Sequence, residues 1–91
     1  MRIRWTPTAA SDLEHIRNYL RDHYPNLAQA TVRKLYEAIR SLRRFPQRGR
    51  MGREEGTREL VCAPLPHIVA YRVREQAIEI LHIFHGSQDR H

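Results

Sequence analysis

The amino-acid sequence predicts an α+β fold in which a helical hairpin packs on one face of a small, mainly antiparallel sheet. A short alternating segment opens the chain, two stretches with helical spacing follow, and three β-type stretches fill the second half. The predicted order is therefore β-α-α-β-β-β. With 91 residues, 41% of them hydrophobic and 29% charged, the chain has the size and composition of one globular domain covering residues 1–91.

The first strand and the first helix are adjacent at the start of the chain. Arg2–Trp5 alternates polar and apolar residues, as a strand with one buried face does. Thr6 then has the position of a helix N-cap and Pro7 that of the first helical residue, where a missing N–H costs no hydrogen bond. Apolar residues continue at helical spacing until Pro25, which is expected to end the helix near Tyr24.

The second helix has the clearest periodic pattern in the sequence. Its apolar residues recur at spacings of four and three in turn. They are Ala28, Val32, Leu35, Ile39 and Leu42. Asn26 is expected to cap this helix, with Gln29 completing a capping box, and Pro46 is expected to stop it just after Phe45. Residues 24–26 form the turn of the predicted hairpin.

The middle of the chain is a basic loop. Residues 46–56 contain three of the four glycines and three arginines. Residues 40–58 hold seven arginines and two glutamates, which is five of the chain's six net positive charges. Because the arginine fork suits phosphate and carboxylate groups, this bias favours a nucleic acid or an acidic protein segment as partner. A basic, solvated surface without a partner is the alternative.

Three strands are predicted in the second half of the chain. The first covers residues 57–63 and is ended by the prolines that follow. The others are His67–Arg74 and Ala77–His85, joined by a tight turn at Glu75-Gln76. The last strand has apolar residues on both faces, which suits a central strand or one covered by a partner. Residues 86–91 form a short polar tail.

Several kinds of site are excluded by the sequence. Cys62 is the only cysteine, so neither a disulfide framework nor a Cys-type zinc site is possible, and it is interpreted as a small buried residue. His82 and His85, three residues apart on a strand, point to opposite faces and cannot share a metal ion. No nucleotide-binding or serine-hydrolase motif occurs. We therefore expect no cofactor, no metal and no small-molecule substrate.

The chain is expected to lie in the cytoplasm. No apolar run approaches the ~20 residues that a membrane span needs, and no signal peptide is visible at the N-terminus.

Three histidines are candidates for acid–base catalysis, because histidine titrates near neutral pH. They are His67, His82 and His85. Together with Arg58 or Arg72, which could hold a phosphate, these histidines would suit a metal-free ribonuclease. The alternative interpretation is that the histidines have only a structural role.

A series of short segments resembles the RelE/ParE superfamily of type II toxin–antitoxin toxins. The segments are Trp5-Thr6-Pro7, Phe45-Pro46 with Arg48-Gly49-Arg50, Thr57-Arg58-Glu59-Leu60, residues 68–73 (Ile-Val-Ala-Tyr-Arg-Val) and residues 80–85 (Ile-Leu-His-Ile-Phe-His). They cover about residues 3–90 in the order and at the spacing of the family. The resemblance implies a small cytoplasmic toxin that is held inactive by a cognate antitoxin.

The family has two main activities, and the resemblance favours one of them. ParE-like members poison DNA gyrase, whereas RelE-like members cleave mRNA on the ribosome. The Thr57–Leu60 segment and His85 favour the ParE-like branch. Ile68 stands where RelE-like toxins commonly have an arginine, and no tyrosine follows Tyr71.

The resemblance to ParE-like toxins implies action by binding, without catalysis. The expected contacts with the gyrase–DNA complex are Arg48, Arg50, Arg53 and Arg58 in the loop, and His85, Gln88 and Arg90 in the tail. Gln88 stands where many ParE-like members have an arginine. One alternative is a metal-independent RelE-like endoribonuclease with His85 as acid or base and Arg58 or Arg72 on the phosphate. The other is a degenerate toxin that only binds its antitoxin.

Overall fold

The computed structural model describes residues 1–88 and confirms the α+β fold, with two helices packed on a five-stranded mixed sheet. The elements are β1 (Arg2–Trp5), α1 (Pro7–His23), α2 (Pro25–Ser41), β2 (Arg50–Met51), β3 (Arg58–Val61), β4 (His67–Arg74), β5 (Ala77–His85) and a short 3-10 helix, η1 (Gly86–Gln88). The strand order is β1-β5-β4-β3-β2, in which β1 runs parallel to β5 and every other pair is antiparallel. Neither of the described helices has the length and apolar character of a membrane span.

The start of α1 and the β4–β5 hairpin agree with the sequence prediction. The Thr6 hydroxyl accepts a hydrogen bond from the Ala9 amide at 3.2 Å, and Pro7 opens the helix. Glu75 and Gln76 form the hairpin turn with φ values of +53° and +61°. Two successive residues in this left-handed region match the twist of the flanking strands, as a type I′ turn does.

The predicted bounds of α2 are wrong at both ends. The helix begins at Pro25, so Asn26 lies inside its first turn and the N-cap, Tyr24, makes no side-chain capping bond. The preset φ of proline suits the first helical position, where no N–H is required. The helix ends at Ser41 rather than Phe45. Leu42 remains fully buried in the turn that follows, so the apolar pattern extends beyond the helix.

The region between α2 and β4 also differs from its prediction. Residues 46–56 contain strand β2, which pairs with β3 at the edge of the sheet. A two-residue strand is too short for a periodic sequence pattern, so it was not predicted. Strand β3 covers Arg58–Val61 rather than residues 57–63.

One core lies between the helices and the sheet. Its largest fully buried side chains are Tyr71, Leu35, Ile39, Leu42, Ile78, Ile80 and Val69. Cys62 is buried beside them, as interpreted, and burial raises the pKa of its thiol to about 11 against the opposing charge of Arg48. Because α1 and α2 both contribute to this core, neither of them covers the opposite face of the sheet, which we call the outer face.

Candidate binding surfaces

The base of the basic loop is anchored to the core. Tyr71 is fully buried, and its hydroxyl donates to the Pro46 carbonyl at 2.8 Å and accepts from the Gly49 amide at 2.8 Å. Arg58 donates from Nη1 to the carbonyls of Gly49 at 2.8 Å and Gln47 at 3.2 Å. The structure therefore places Arg58 as a support of the loop, with its guanidinium directed at the loop backbone.

Gly49 is required by the same anchor. A Cβ atom at this position would lie 2.7 Å from Cε1 of Tyr71 and 2.9 Å from the carbonyl oxygen of Glu59. The first contact is with a fully buried ring and the second with backbone, so neither neighbour can move away cheaply. The close approach of the loop to the sheet thus depends on glycine.

Two further loop arginines are bound to side chains of different elements. Arg50 donates from Nε and Nη2 to Glu59 Oε1, at 3.1 Å and 2.9 Å. Arg48 donates from Nη1 to the Ser41 hydroxyl at 2.8 Å, at the end of α2. Arg50 is therefore held on β3, whereas Arg48 is held at the end of α2.

Arg53 is the loop arginine that borders β5. It lines a small hollow of about 160 Å³ together with His82 and Phe84 of that strand. The structure thus brings one residue of the predicted loop set close to the end of the last strand. Gln88 ends η1, whereas its side chain and Arg90 lie outside the described part of the chain.

His85 contacts His67, which is another of the three histidines considered for acid–base catalysis from the sequence. The rings of His67 and His85 lie 5.9 Å apart in an edge-on arrangement, and Ser87 donates its amide to His85 Nδ1 at 3.1 Å. His67 is only 8% exposed, and its Nδ1 has no hydrogen-bond partner among residues 1–88. Burial lowers the pKa of His67, and the neighbouring His85 lowers it further.

These two histidines line an open groove of about 620 Å³ between α1 and the end of β5. The α1 side carries His15, Ile16, Tyr19 and Leu20, and Tyr24 follows at the helix end. Tyr19 and Tyr24 are 55% and 52% exposed. Exposed aromatic rings beside polar groups are typical of surfaces that bind another protein segment.

His82 has a different environment from His85. Strand β1 ends at Trp5, and beyond that point Asp12 of α1 covers the edge of β5 by accepting from the Ile83 amide at 3.0 Å. The same Asp12 oxygen lies 3.1 Å from His82 Nδ1. Among residues 1–88, no group of three or more His, Cys, Asp or Glu side chains is arranged to hold a metal ion.

The residues of the alternative ribonuclease are not brought together. His85 lies opposite His67 at one end of β4, whereas Arg72 is five residues further along that strand, about 17 Å away. Arg72 is bound to Glu79, and Arg58 is bound to the loop backbone. His85, Arg58 and Arg72 therefore do not face a common substrate position.

A charge cluster on the outer face was not predicted from the sequence. The Glu79 carboxylate accepts from Arg72 Nε at 2.6 Å and from Arg4 Nη1 at 2.9 Å, although the residue is only 9% exposed. The Arg72 hydrogen bond, and then that of Arg4, hold the pKa of Glu79 below its usual value against the effect of burial. The predicted turn at Glu75-Gln76 already places Arg72 opposite Glu79, and this was the available signal.

Comparison with known proteins adds an independent finding. A family model described as the ParE toxin of the type II toxin–antitoxin system parDE matches residues 3–90. The chain is 39% identical over 87 residues to the putative toxin Y4kP of Sinorhizobium fredii, covering 96% of this chain and 90% of that protein. It is 35% identical over 86 residues to toxin RelE2 of Caulobacter vibrioides, covering 94% and 96%.

A solved structure has the same fold. A chain of the chromosomal ParDE toxin–antitoxin system from P. aeruginosa superposes with a TM-score of 0.84 at 28% sequence identity. The superposition covers 93% of this chain and 95% of that one. The similarity therefore includes the helical hairpin and the sheet together.

Proposed function

Because the chain belongs to the ParE toxin family of type II toxin–antitoxin systems, we propose that it inhibits bacterial growth by acting on DNA gyrase in the cytoplasm. The family supplies the general role, which is that of the toxin component with an antitoxin as its partner. The observation that favours gyrase over mRNA cleavage is the separation of His85, Arg58 and Arg72. Without a shared substrate position these residues provide no acid–base pair beside a held phosphate.

In this proposal the chain acts by binding the gyrase–DNA complex and stabilising its cleaved state. Arg48, Arg50 and Arg53 supply cationic contacts from the basic loop, while His85, Gln88 and Arg90 supply the tail contacts. The anchor of Tyr71 and Arg58 supports this role, because a loop held in place loses less conformational entropy on binding.

The groove between α1 and β5 is the proposed position of the antitoxin. Tyr19 and Tyr24 offer exposed aromatic area for an apolar antitoxin segment. His67 and His85 line the same groove and place polar side chains beside this aromatic area. The net charge of +6 favours an acidic segment.

The test is a gyrase supercoiling and DNA-cleavage assay with the purified chain, with in vitro translation in parallel. We expect cleaved DNA to accumulate while translation continues. Arg53→Gln should reduce cleavage several-fold, and Arg33→Gln, which removes the same charge from the exposed side of α2, serves as the matched control. Blocked translation with unaffected gyrase would overturn the proposal.

The similarity to a protein named toxin RelE2 favours mRNA cleavage as the second candidate function. His85→Ala separates the two functions. It should abolish mRNA cleavage if His85 is the acid or base, whereas it should reduce gyrase poisoning only modestly. Normal growth of cells that express the chain alone would instead support a protein that only binds its antitoxin.

A further inference from the structure

The strand register places four arginines and one glutamate on the outer face near the β4–β5 turn. Arg2 and Arg74 both lie opposite Ala77, and Arg4 and Arg72 both lie opposite Glu79. Residues directly opposite one another across neighbouring strands project to the same face. Ile3 and Trp5 of β1 pack against the core, so Arg2 and Arg4, which alternate with them, project to the outer face. We call the four arginines and Glu79 the arginine platform.

The platform has an excess of positive charge. Glu79 pairs with Arg4 and Arg72, whose side chains remain 37% and 38% exposed. Arg2 and Arg74 are exposed and form no ion pair within residues 1–88. Even with Glu75 of the turn included, arginines outnumber carboxylates by two. Each guanidinium bound to Glu79 uses one nitrogen for it, so other N–H donors remain for a further anion.

The spacing of the platform is regular. The two arginine columns lie on β1 and β4, either side of β5, and are therefore about 9.5 Å apart at the backbone. Within each column the arginines are two residues apart, about 6.7 Å. A repeated array of guanidinium groups matches a partner with a repeated negative charge, which is the character of a phosphodiester backbone.

The platform lacks the apolar anchors of a protein-binding surface. Ala77, the only apolar residue among the opposed positions, is fully buried, and Val73 lies opposite Ile78 of the core face. Protein interfaces depend on buried aromatic or aliphatic anchors, whereas interfaces with DNA are more polar and more positively charged. The composition of the platform thus favours nucleic acid over an acidic peptide.

We infer that the arginine platform binds the phosphate backbone of duplex DNA through Arg2, Arg4, Arg72 and Arg74. The choice of DNA rests on the proposed function, in which the target is a gyrase–DNA complex. Recognition of this kind is independent of base sequence, since phosphate contacts carry no sequence information directly. It therefore positions the toxin on DNA without choosing a site.

The test measures binding of the purified chain to a fluorescent duplex DNA of mixed sequence over a series of salt concentrations. Arg2→Gln with Arg74→Gln removes two exposed charges from the platform. Each lost phosphate contact lowers the slope of log affinity against log salt by about one, so the double variant should lower it by about two. The matched control is Arg33→Gln with Arg40→Gln on α2, which removes equal charge and should leave the slope nearly unchanged.

A second variant acts in the opposite direction. Glu79→Gln adds one net positive charge at the centre of the platform, and we expect DNA binding several-fold tighter than that of the wild type. Circular dichroism of every variant checks that the fold is retained. Tighter binding by Glu79→Gln and weaker binding by the double variant together support a local effect of the platform.

Three results would overturn the inference. The first is that the wild-type chain does not bind DNA. The second is an equal loss of DNA affinity in the platform variant and in the Arg33→Gln, Arg40→Gln control. The third is a platform variant that keeps its DNA binding and loses only binding to an acidic protein. The proposed function is tested separately, by the gyrase assay. Failure of gyrase poisoning with the platform effect intact would remove gyrase as target, whereas poisoning without a platform effect would remove the DNA contact alone.

Discussion

The two ends of the β4–β5 hairpin differ in whether their buried polar side chains are hydrogen-bonded. At the turn end, Glu79 is bound by Arg4 and Arg72, so its buried carboxylate is satisfied within the chain. At the other end, the Nδ1 of buried His67 has no partner among residues 1–88. The turn end therefore satisfies its buried charge within the chain and carries surplus cations, whereas the histidine end combines a buried nitrogen that lacks a partner in residues 1–88 with the exposed rings of Tyr19 and Tyr24. Our proposals place DNA at the turn end and an antitoxin segment in the groove at the histidine end.

The largest effect is expected from Gly49→Ala, which disrupts the contact of the basic loop with Tyr71, a residue of β4 that lies between the two ends. The added Cβ would lie 2.7 Å from the Tyr71 ring, and we expect a loss of about 3 kcal/mol in the free energy of unfolding. The matched control is Gly56→Ala, where the space is open and only the φ of +82° opposes the substitution, at a cost of about 1 kcal/mol. Urea unfolding measures both. Equal losses would show that the Tyr71 contact does not hold the loop.

A smaller effect on stability is expected at the turn end when the pH is lowered. The folded-state pKa of Glu79 is lowered, so its contribution to stability is complete above its unfolded value of 4.5 and is lost as the pH falls through the folded-state pKa. Glu79→Gln should be less stable than the wild type at neutral pH and should lose less stability in acid. Thermal unfolding from neutral pH to pH 3 checks this, and parallel curves for the two proteins would contradict it.

The histidine end should respond to pH in a higher window and more weakly, because the buried Nδ1 of His67 forms no hydrogen bond within residues 1–88 that a substitution would break. Its folded-state pKa is lowered, so its neutral form contributes stability above the unfolded value of 6.5, and that contribution is lost as the pH falls through the folded-state pKa. His67→Phe should retain stability below pH 6.5 better than the wild type. His23→Phe, at an exposed position, is the control, and an equal benefit from both would disprove the assignment.

The smallest effect concerns Cys62, whose amide donates to the His67 carbonyl at 3.0 Å beside the histidine end. Burial and a thiol pKa of about 11 leave little thiolate at neutral pH, so reaction with a disulfide reagent should be slow in the folded protein. Unfolding in urea should increase the rate by at least about tenfold. A fast reaction in the folded state would show that the edge of the core near β3 opens readily.

The difference between the two ends also explains how far the sequence could predict the site. The turn at Glu75-Gln76 is a local signal, and it correctly predicts the bounds of β4 and β5. The cap at Thr6-Pro7 is equally local. The contribution of Arg4 to the platform was not predictable, because it depends on β1 pairing in parallel with β5, over seventy residues away along the chain.

The groove at the histidine end was less accessible to sequence reasoning. It depends on how α1 lies against the end of β5, and no spacing along the chain reports that arrangement. His85 was singled out, but its contact with His67 follows from the strand register. Arg58 was assigned to the target, and its hydrogen bonds to Gln47 and Gly49 were not foreseeable from a charge count.

The decisive experiment compares the amount of gyrase-cleaved DNA that three proteins produce under identical conditions. They are the wild-type chain, the Arg2→Gln, Arg74→Gln platform variant and a Tyr19→Ala, Tyr24→Ala groove variant. We expect the wild type and the groove variant to accumulate cleaved DNA, whereas the platform variant should accumulate several-fold less. Absence of cleavage with the wild type, or an equal loss in both variants, would contradict this expectation.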